Sequence, residues 1–311
     1  MKKLNMKKRI YLIIGILSVV LMVYLAVRPM PEKINGLVML IEFEHIDGVL
    51  QWEKELDNRG INALVKVQDN VLKEYPEVFK RLSDKGYEIA GGYDIAPFWG
   101  MPYAEQYTYL KEAQGLVKEV TGKDMRVFGS RYFAYDENTL KAADELGIEY
   151  ILARGTKGVE AVIYAPEEYD VKVISVSNVE FEEMGKGSLC DYSLWARGAT
   201  HEDFKLALND AIKRSPESMI VVSHAYLGGT RQDWWNIYEE VLSFSKIEFV
   251  GFEDWLLNVL VVEMPNKDIP INKEVKYDTP SPAMPIEEMA PVEGLNNEYD
   301  CEENSDLPYC S

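Results

Sequence analysis

Three histidines occur in this 311-residue chain, His45, His201 and His224, and two of them stand where chemistry is usually kept. His45 follows the apolar run 36–43, and His224 ends a second apolar run, MIVVSH. Asp94 follows a third, inside GYEIAGGYDIAPFWG at residues 86–100. The Gly-Gly break in that stretch permits a tight turn that side chains would forbid. Strand ends of this kind carry the active sites of α/β enzymes. If His45, Asp94 and His224 converge, they form a two-histidine, one-carboxylate donor set suited to a divalent metal such as zinc, or to iron. The plainer reading has His224 satisfied by hydrogen bonds, His45 on a loop and Asp94 bonding back to the amides of its turn. His201 opens a helical pattern and reads as a surface residue.

Aromatic residues cluster after the same strand ends. Phe98, Trp99 and Tyr103 follow Asp94, Tyr132 and Phe133 follow the run at 126–128, and Tyr226, Trp234 and Trp235 follow His224. Such side chains suit stacking on sugar faces, as on other flat amphipathic ligands. Trp99, Tyr132 and Tyr226 are the candidate substrate contacts. Trp234 and Trp235 open an amphipathic helix and read equally well as packing.

The elements that must position these residues alternate along the chain. Strand-like runs fall at 36–43, 63–67, 87–90, 126–128, 150–153, 171–176, 219–223 and 247–250. Helical patterns fall at 49–58, 71–85, 104–120, 137–146, 201–213, 234–244 and 252–260. Asp136 and Thr200 stand as N-caps of two of the helices. Alternation at this spacing predicts a parallel sheet with helices outside. About seven such units fit a distorted (β/α) barrel, closed or nearly so, with a doubly wound open sheet as the alternative. No G-x-G-x-x-G follows the first strand and no phosphate-binding loop is present, so nucleotide binding has no support.

Both ends lie outside the expected domain at 34–262. Five basic residues precede Ile10, and the 18 residues from Ile10 to Val27 carry no charge. That length matches a single membrane crossing within residues 1–30. A secretory signal is the rival, but its apolar core is shorter and ends in an A-x-A-like site, which LAVR matches poorly. A basic N-terminus places the rest of the chain outside the cytoplasm. Residues 263–311 hold seven of the fourteen prolines and twelve acids against three lysines, the composition of a disordered acidic tail. Cys301 and Cys310 can close a disulfide loop in an oxidising compartment, leaving Cys190 as a small buried hydrophobe. Beyond residue 28 there are 27 basic against 52 acidic residues, a net charge of −25. That balance excludes nucleic acid and docking on anionic lipid.

From Gly86 to Tyr150 the chain resembles the polysaccharide deacetylase family of carbohydrate esterases. Its pattern there is G-H-E-I-x-N-H-T-x-x-H-P, a long helix, T-G, a strand ending F-R-P-P-Y-G, and a helix N-x-x-T-L-x-x-A-x-x-x-G. This chain has GYEIAGGYDIAPFWG, the helix EQYTYLKEAQGLVKEV, then TGKDMRVFGSRYFAYDENTLKAADELGIEY. The resemblance implies a distorted barrel with its site at the carboxyl ends of the strands. It implies an aspartate and two histidines holding a divalent metal, a second aspartate as base and a late histidine as general acid. It also implies hydrolysis of N-acetyl groups on a glycan. Carried over, the base falls on Glu44, or on Asp47 if the register shifts, and the metal aspartate on His45. The general acid falls on His224. The two metal histidines fall on Gly92 and Ala96, and the arginine falls on Gly129, with Arg131 two residues on as a candidate orienter. His45 and Asp94 are then the candidate metal ligands. A domain that binds glycan without cleaving it is the alternative, and a purely structural envelope scaffold is a third reading; no protein partner is named by the sequence.

Overall fold

The computed structural model describes residues 33–44, 46–181, 185–270, 284, 286–293 and 295. The proposed anchor and the Cys301–Cys310 loop lie outside these residues. Among the described residues no helix is long and apolar enough to cross a membrane.

The elements run β1 (Ile34–Glu42), α1 (Asp47–Arg59), β2 (Leu64–Gln68), α2 (Asp69–Glu74), α3 (Pro76–Asp84), β3 (Glu88–Tyr93), α4 (Tyr103–Thr121) and β4 (Val127–Ser130). Then come α5 (Glu137–Glu145), β5 (Tyr150–Ala153), β6 (Val162–Pro166), β7 (Lys172–Ser175), β8 (Asn178–Phe181) and β9 (Gly185–Ser188). The last are α6 (Asp191–Trp195), α7 (His201–Lys213), β10 (Ser218–His224), α8 (Ala225–Gly228), α9 (Gln232–Leu242), β11 (Ile247–Phe249), α10 (Phe252–Asn258) and β12 (Leu260–Met264). Both expected caps form as reciprocal capping boxes, Asp136 with Thr139 on α5 and Thr200 with Asp203 on α7. The single helix expected at 71–85 is two, because Pro76 has no N–H to continue α2 and instead starts α3.

Ten strands form one curled sheet in the order β10-β1-β2-β3-β4-β5-β7-β6-β12, with β11 also on β1. Every pairing is parallel except β6 with β7. The far side of the curl returns to β10. The Ala161 amide donates to the Ser218 carbonyl (3.0 Å), and the Val222 amide to that of Leu189 (3.2 Å). The sheet is thus the expected barrel in half-closed form, with more strands than the seven predicted. β6, β12 and the β8–β9 hairpin were not foreseen. β12 begins at the last residue of the predicted helix 252–260, and its largely exposed LVVEM lacks the buried periodicity that marks a strand.

Two apolar layers sandwich the sheet. Leu37, Met39 and Ile41 of β1 point into the curl with Ile220 and Val222 of β10, while Val38 and Leu40 pack under the helices with Met219 and Val221. This two-residue alternation is the pleat of the strand. Each fully buried aliphatic side chain contributes roughly 1.5–3 kcal/mol.

Ordered structure runs past the expected boundary at 262. β12 runs to Met264 in parallel with β6, and Ile269 is buried. Part of the presumed tail also docks. The Gln232 amide donates to the Ala290 carbonyl (2.9 Å), the Val292 amide to that of Thr230 (2.9 Å), and Val292 is buried. The few apolar residues of this acidic stretch find partners that composition cannot show.

Candidate functional site

A cavity of about 390 Å³ opens at the carboxyl ends of the strands, and strand parity decides which residues reach it. Following the inward residues two by two gives Ile41 then Phe43, Leu64 then Lys66 and Gln68, and Ala90 then Gly92 and Asp94. It also gives Val127 then Gly129 and Arg131, Leu152 then Arg154, and Val222 then His224. The terminal members of these series, Phe43, Lys66, Gln68, Asp94, Arg131, Arg154 and His224, line the cavity. Glu44 is out of phase with this inward set.

The floor is an ion pair. Lys66 is 1% exposed, and its Nζ lies 2.5 Å from Asp94 Oδ2. Its stem runs over two glycines. A Cβ on Gly129 would lie 3.1 Å from Lys66 Cδ and Cε, and one on Gly92 would lie 3.3 Å from Lys66 Cγ and 2.8 Å from the Val67 carbonyl oxygen. Any side chain at either position competes with Lys66 for the same space. Asp94 therefore does not bond back to its own turn; its carboxylate neutralises a buried ammonium.

Opposite stands a hydrogen-bonded group built from β10 and the segment entering α6. Asp191 is fully buried and accepts from the amides of Tyr192 (2.6 Å) and His224 (2.8 Å) and from Ser223 Oγ (2.9 Å). Cys190 Sγ lies 3.1 Å from His224 Nδ1, and Asp191 Oδ1 lies 3.5 Å from the same nitrogen. Burial pushes the Cys190 thiol well up, and the Asp191 charge adds to this, so Cys190 is a neutral thiol rather than a nucleophile. The His224 ring is held between Phe43 (5.8 Å) and Tyr192 (4.7 Å), which form an aromatic wall.

The third wall carries two arginines. Arg131 donates to the Ile95 carbonyl (3.0 Å) and Arg154 to the Tyr132 carbonyl (2.9 Å). Their guanidinium carbons stand 5.0 and 5.8 Å from the Tyr132 ring centroid. Tyr132 and Phe133 have φ of 59° and 53°, a left-handed conformation costing about 1–3 kcal/mol per residue and concentrated at functional sites.

Of the residues singled out from sequence, Asp94, Arg131, Tyr132 and His224 meet at this cavity. His45 lies outside the described residues. Glu44 is exposed on the turn after β1, its amide on Glu42 Oε1 (2.8 Å), and it is not a lining residue. Asp47 is the first residue of α1 and likewise does not line the cavity. Trp99 is 39% exposed on the turn after β3, away from the lining. Tyr226 is 2% exposed and packs behind Phe43 (4.9 Å), so it supports the wall from outside instead of stacking on a ligand. Sequence reasoning missed Lys66, Arg154, Cys190, Asp191 and Tyr192. Lys66 had a signal, a lone charge inside the apolar run ALVKV. Cys190 was read as buried, which it is, but not as a partner of His224.

The donor set does not fit a divalent metal. Positions 92 and 96 are glycine and alanine, and Lys66 holds one oxygen of Asp94. Cys190, Asp191 and His224 do bring ligand atoms within 4.8 Å of one another. Asp191, however, already accepts from two amides and a hydroxyl, with the Cys190 thiol 3.4 Å from its Oδ1. Metal ligation would draw on carboxylate lone pairs that these donors already occupy. Asp94, expected as a metal ligand with His45, is here paired with Lys66.

A family model described as polysaccharide deacetylase matches residues 51–151. No curated protein matches the sequence. Among solved structures, a probable polysaccharide deacetylase from Pseudomonas aeruginosa PAO1 is 17% identical, over 73% of this chain and 91% of that one, with a TM-score of 0.57. The Puue allantoinase is 15% identical, over 74% of this chain and 91% of that one, with a TM-score of 0.56. Wild-type BA3943, described as a CE4 family pseudoenzyme from Bacillus anthracis, is 10% identical, over 76% of this chain and 71% of that one, with a TM-score of 0.50. At these identities the structural likeness shows the fold alone. The family model thus covers about a third of the chain, on the segment that carries several of the strand ends around the cavity, and the half-closed barrel has the fold of solved polysaccharide deacetylases.

Proposed function

We propose that this domain binds an N-acetylated glycan in the strand-end cavity, without the metal-dependent hydrolysis of its family. Residues 10–27 anchor it in a membrane, and the domain faces away from the cytoplasm. One observation carries the reading: the cavity keeps an aromatic and arginine-lined wall, while at position 92 the Val67 carbonyl and the Lys66 stem leave no room for a metal histidine. A concave, partly aromatic pocket with a few convergent polar groups is the usual form of a small-ligand site.

A second reading, slow metal-independent hydrolysis of the acetamide, is favoured by the His224–Asp191 pair. Cys190 and the Asp191 carboxylate hold the imidazole; water adds to the acyl carbon and gives a proton to His224, and His224 passes it to the amine as the C–N bond breaks, leaving acetate. The two readings separate with one sample. Full-length protein in detergent is titrated with chitin oligomers by calorimetry and assayed for acetate, with and without EDTA. Binding with no acetate supports the first reading. Acetate release that survives EDTA and disappears in His224→Ala supports the second. Release that EDTA abolishes, or no binding at all, refutes the proposal.

A further inference from the structure

We propose that Lys66 is the resident cation of this pocket: its ammonium stands in for the divalent ion and donates hydrogen bonds to the acyl oxygen of a bound acetamide. The choice of ligand rests on the glycan-binding reading above; the site itself does not.

An ammonium carries three N–H donors. Lys66 Nζ has one partner among the described residues, Asp94 Oδ2 at 2.5 Å, and Lys66 lines the cavity. Donors are thus left over on a group that is 99% buried and borders a cavity, an arrangement that recruits an acceptor. Asp94 fixes the ammonium in place, as second partners fix metal ligands. The chain has also made room for it, since the Lys66 stem occupies the volume that side chains at 92 and 129 would take. The ion pair is neutral as a unit, and the adjoining wall is aromatic, with Phe43 and Tyr192 about the His224 ring. Where Asp94 already matches the charge of the ammonium, its remaining donors suit an uncharged carbonyl oxygen, while the arginine charges stand on the third wall, each donating to a main-chain carbonyl. An amide oxygen is the chemical class that fits.

The test uses full-length protein in detergent, labelled with ¹⁵N-lysine. The Nζ signal of Lys66 is assigned by its loss in Lys66→Met and followed by NMR while N-methylacetamide is added, the other lysines serving as internal reference. The Lys66 signal is expected to move selectively, and stoichiometric zinc is expected to leave it in place. In calorimetry with EDTA, Lys66→Met is expected to weaken tetra-N-acetylchitotetraose roughly tenfold, the loss expected for a charged hydrogen bond. Its weak affinity for the fully deacetylated tetramer should not change. A Lys66 signal unmoved by N-methylacetamide, or displaced by zinc, overturns the proposal, as does a Met variant that binds the acetylated tetramer like wild type. If circular dichroism shows Lys66→Met unfolded, Lys66→Arg assigns the signal and the wild-type titration decides alone. If N-methylacetamide moves the signal but no oligomer binds, the role of Lys66 stands and the glycan reading falls.

Discussion

Gly92→His restores the residue type that the family resemblance puts at this position, and the structure predicts that it fails to restore a metal site. The new Cβ would sit 2.8 Å from the Val67 carbonyl oxygen and 3.3 Å from Lys66 Cγ. The first contact is with main chain, so relief requires β2 and β3 to shift where Val67 pairs with Gly91 and Gln68 with Gly92. Overpacking of this kind costs about 1–3 kcal/mol. In a domain of this size each kcal/mol lowers the melting temperature by roughly 2–4 °C, so a loss of about 2–12 °C is expected. Gly92→Ala isolates the first atom and should already show much of the loss. Removing the lysine as well, in Lys66→Ala/Gly92→His, relieves only the longer contact, so recovery should be small. Thermal melts of the three variants and zinc calorimetry on the two histidine variants give the readout. A Gly92→His protein that melts with wild type, or takes up one zinc, refutes the packing argument and the metal-free reading of the pocket.

Two further outcomes follow from groups at opposite ends of the barrel. Glu88, at the start of β3, is pushed by burial from 4.5 up to about 7, against the pull of Arg126, whose charge is shared with Glu149 and Glu253. The folded state holds this proton more tightly than the unfolded one, so the stability it adds is complete below about pH 4.5 and lost as pH rises through 7. Urea melts should show Glu88→Gln losing up to about 3 kcal/mol less than wild type between those limits, and equal slopes would contradict the assignment. Asp191→Ala strips an acceptor from two amides and the Ser223 hydroxyl, at a cost of about 3–5 kcal/mol in urea unfolding; a loss below about 1 kcal/mol would show that Asp191 does not organise the His224 side of the cavity.

Much of the scaffold was legible because its signals are local. The capping residues Asp136 and Thr200, the strand runs at 150–153 and 219–223, and the helix at 201–213 each depend on neighbours within a few positions. The edge strand β12 and the docked residues 286–293 were not legible, since their partners lie far away in the chain and their own pattern is exposed or acidic.

The site divides along the same line. Sequence by itself carried the resemblance to the deacetylase family, the absence of histidine at 92 and 96, and several residues that line the cavity, among them Asp94, Arg131, Tyr132 and His224. Lys66 carried a signal, a charge in an apolar strand, but the pattern does not say which way it points. Only the tertiary structure decided that Lys66 faces inward, that Gly92 and Gly129 lie beneath its stem, and that Asp94 is its partner rather than a free ligand. Tertiary structure likewise brought Cys190 and Asp191 to His224 across 34 and 33 residues and set Glu44 out of phase with the pocket. The physical reason is the pleat of the strand. A local pattern fixes that residues alternate between two faces, but which face is the cavity, and what stands across it, is set by the neighbouring strands that close the curl.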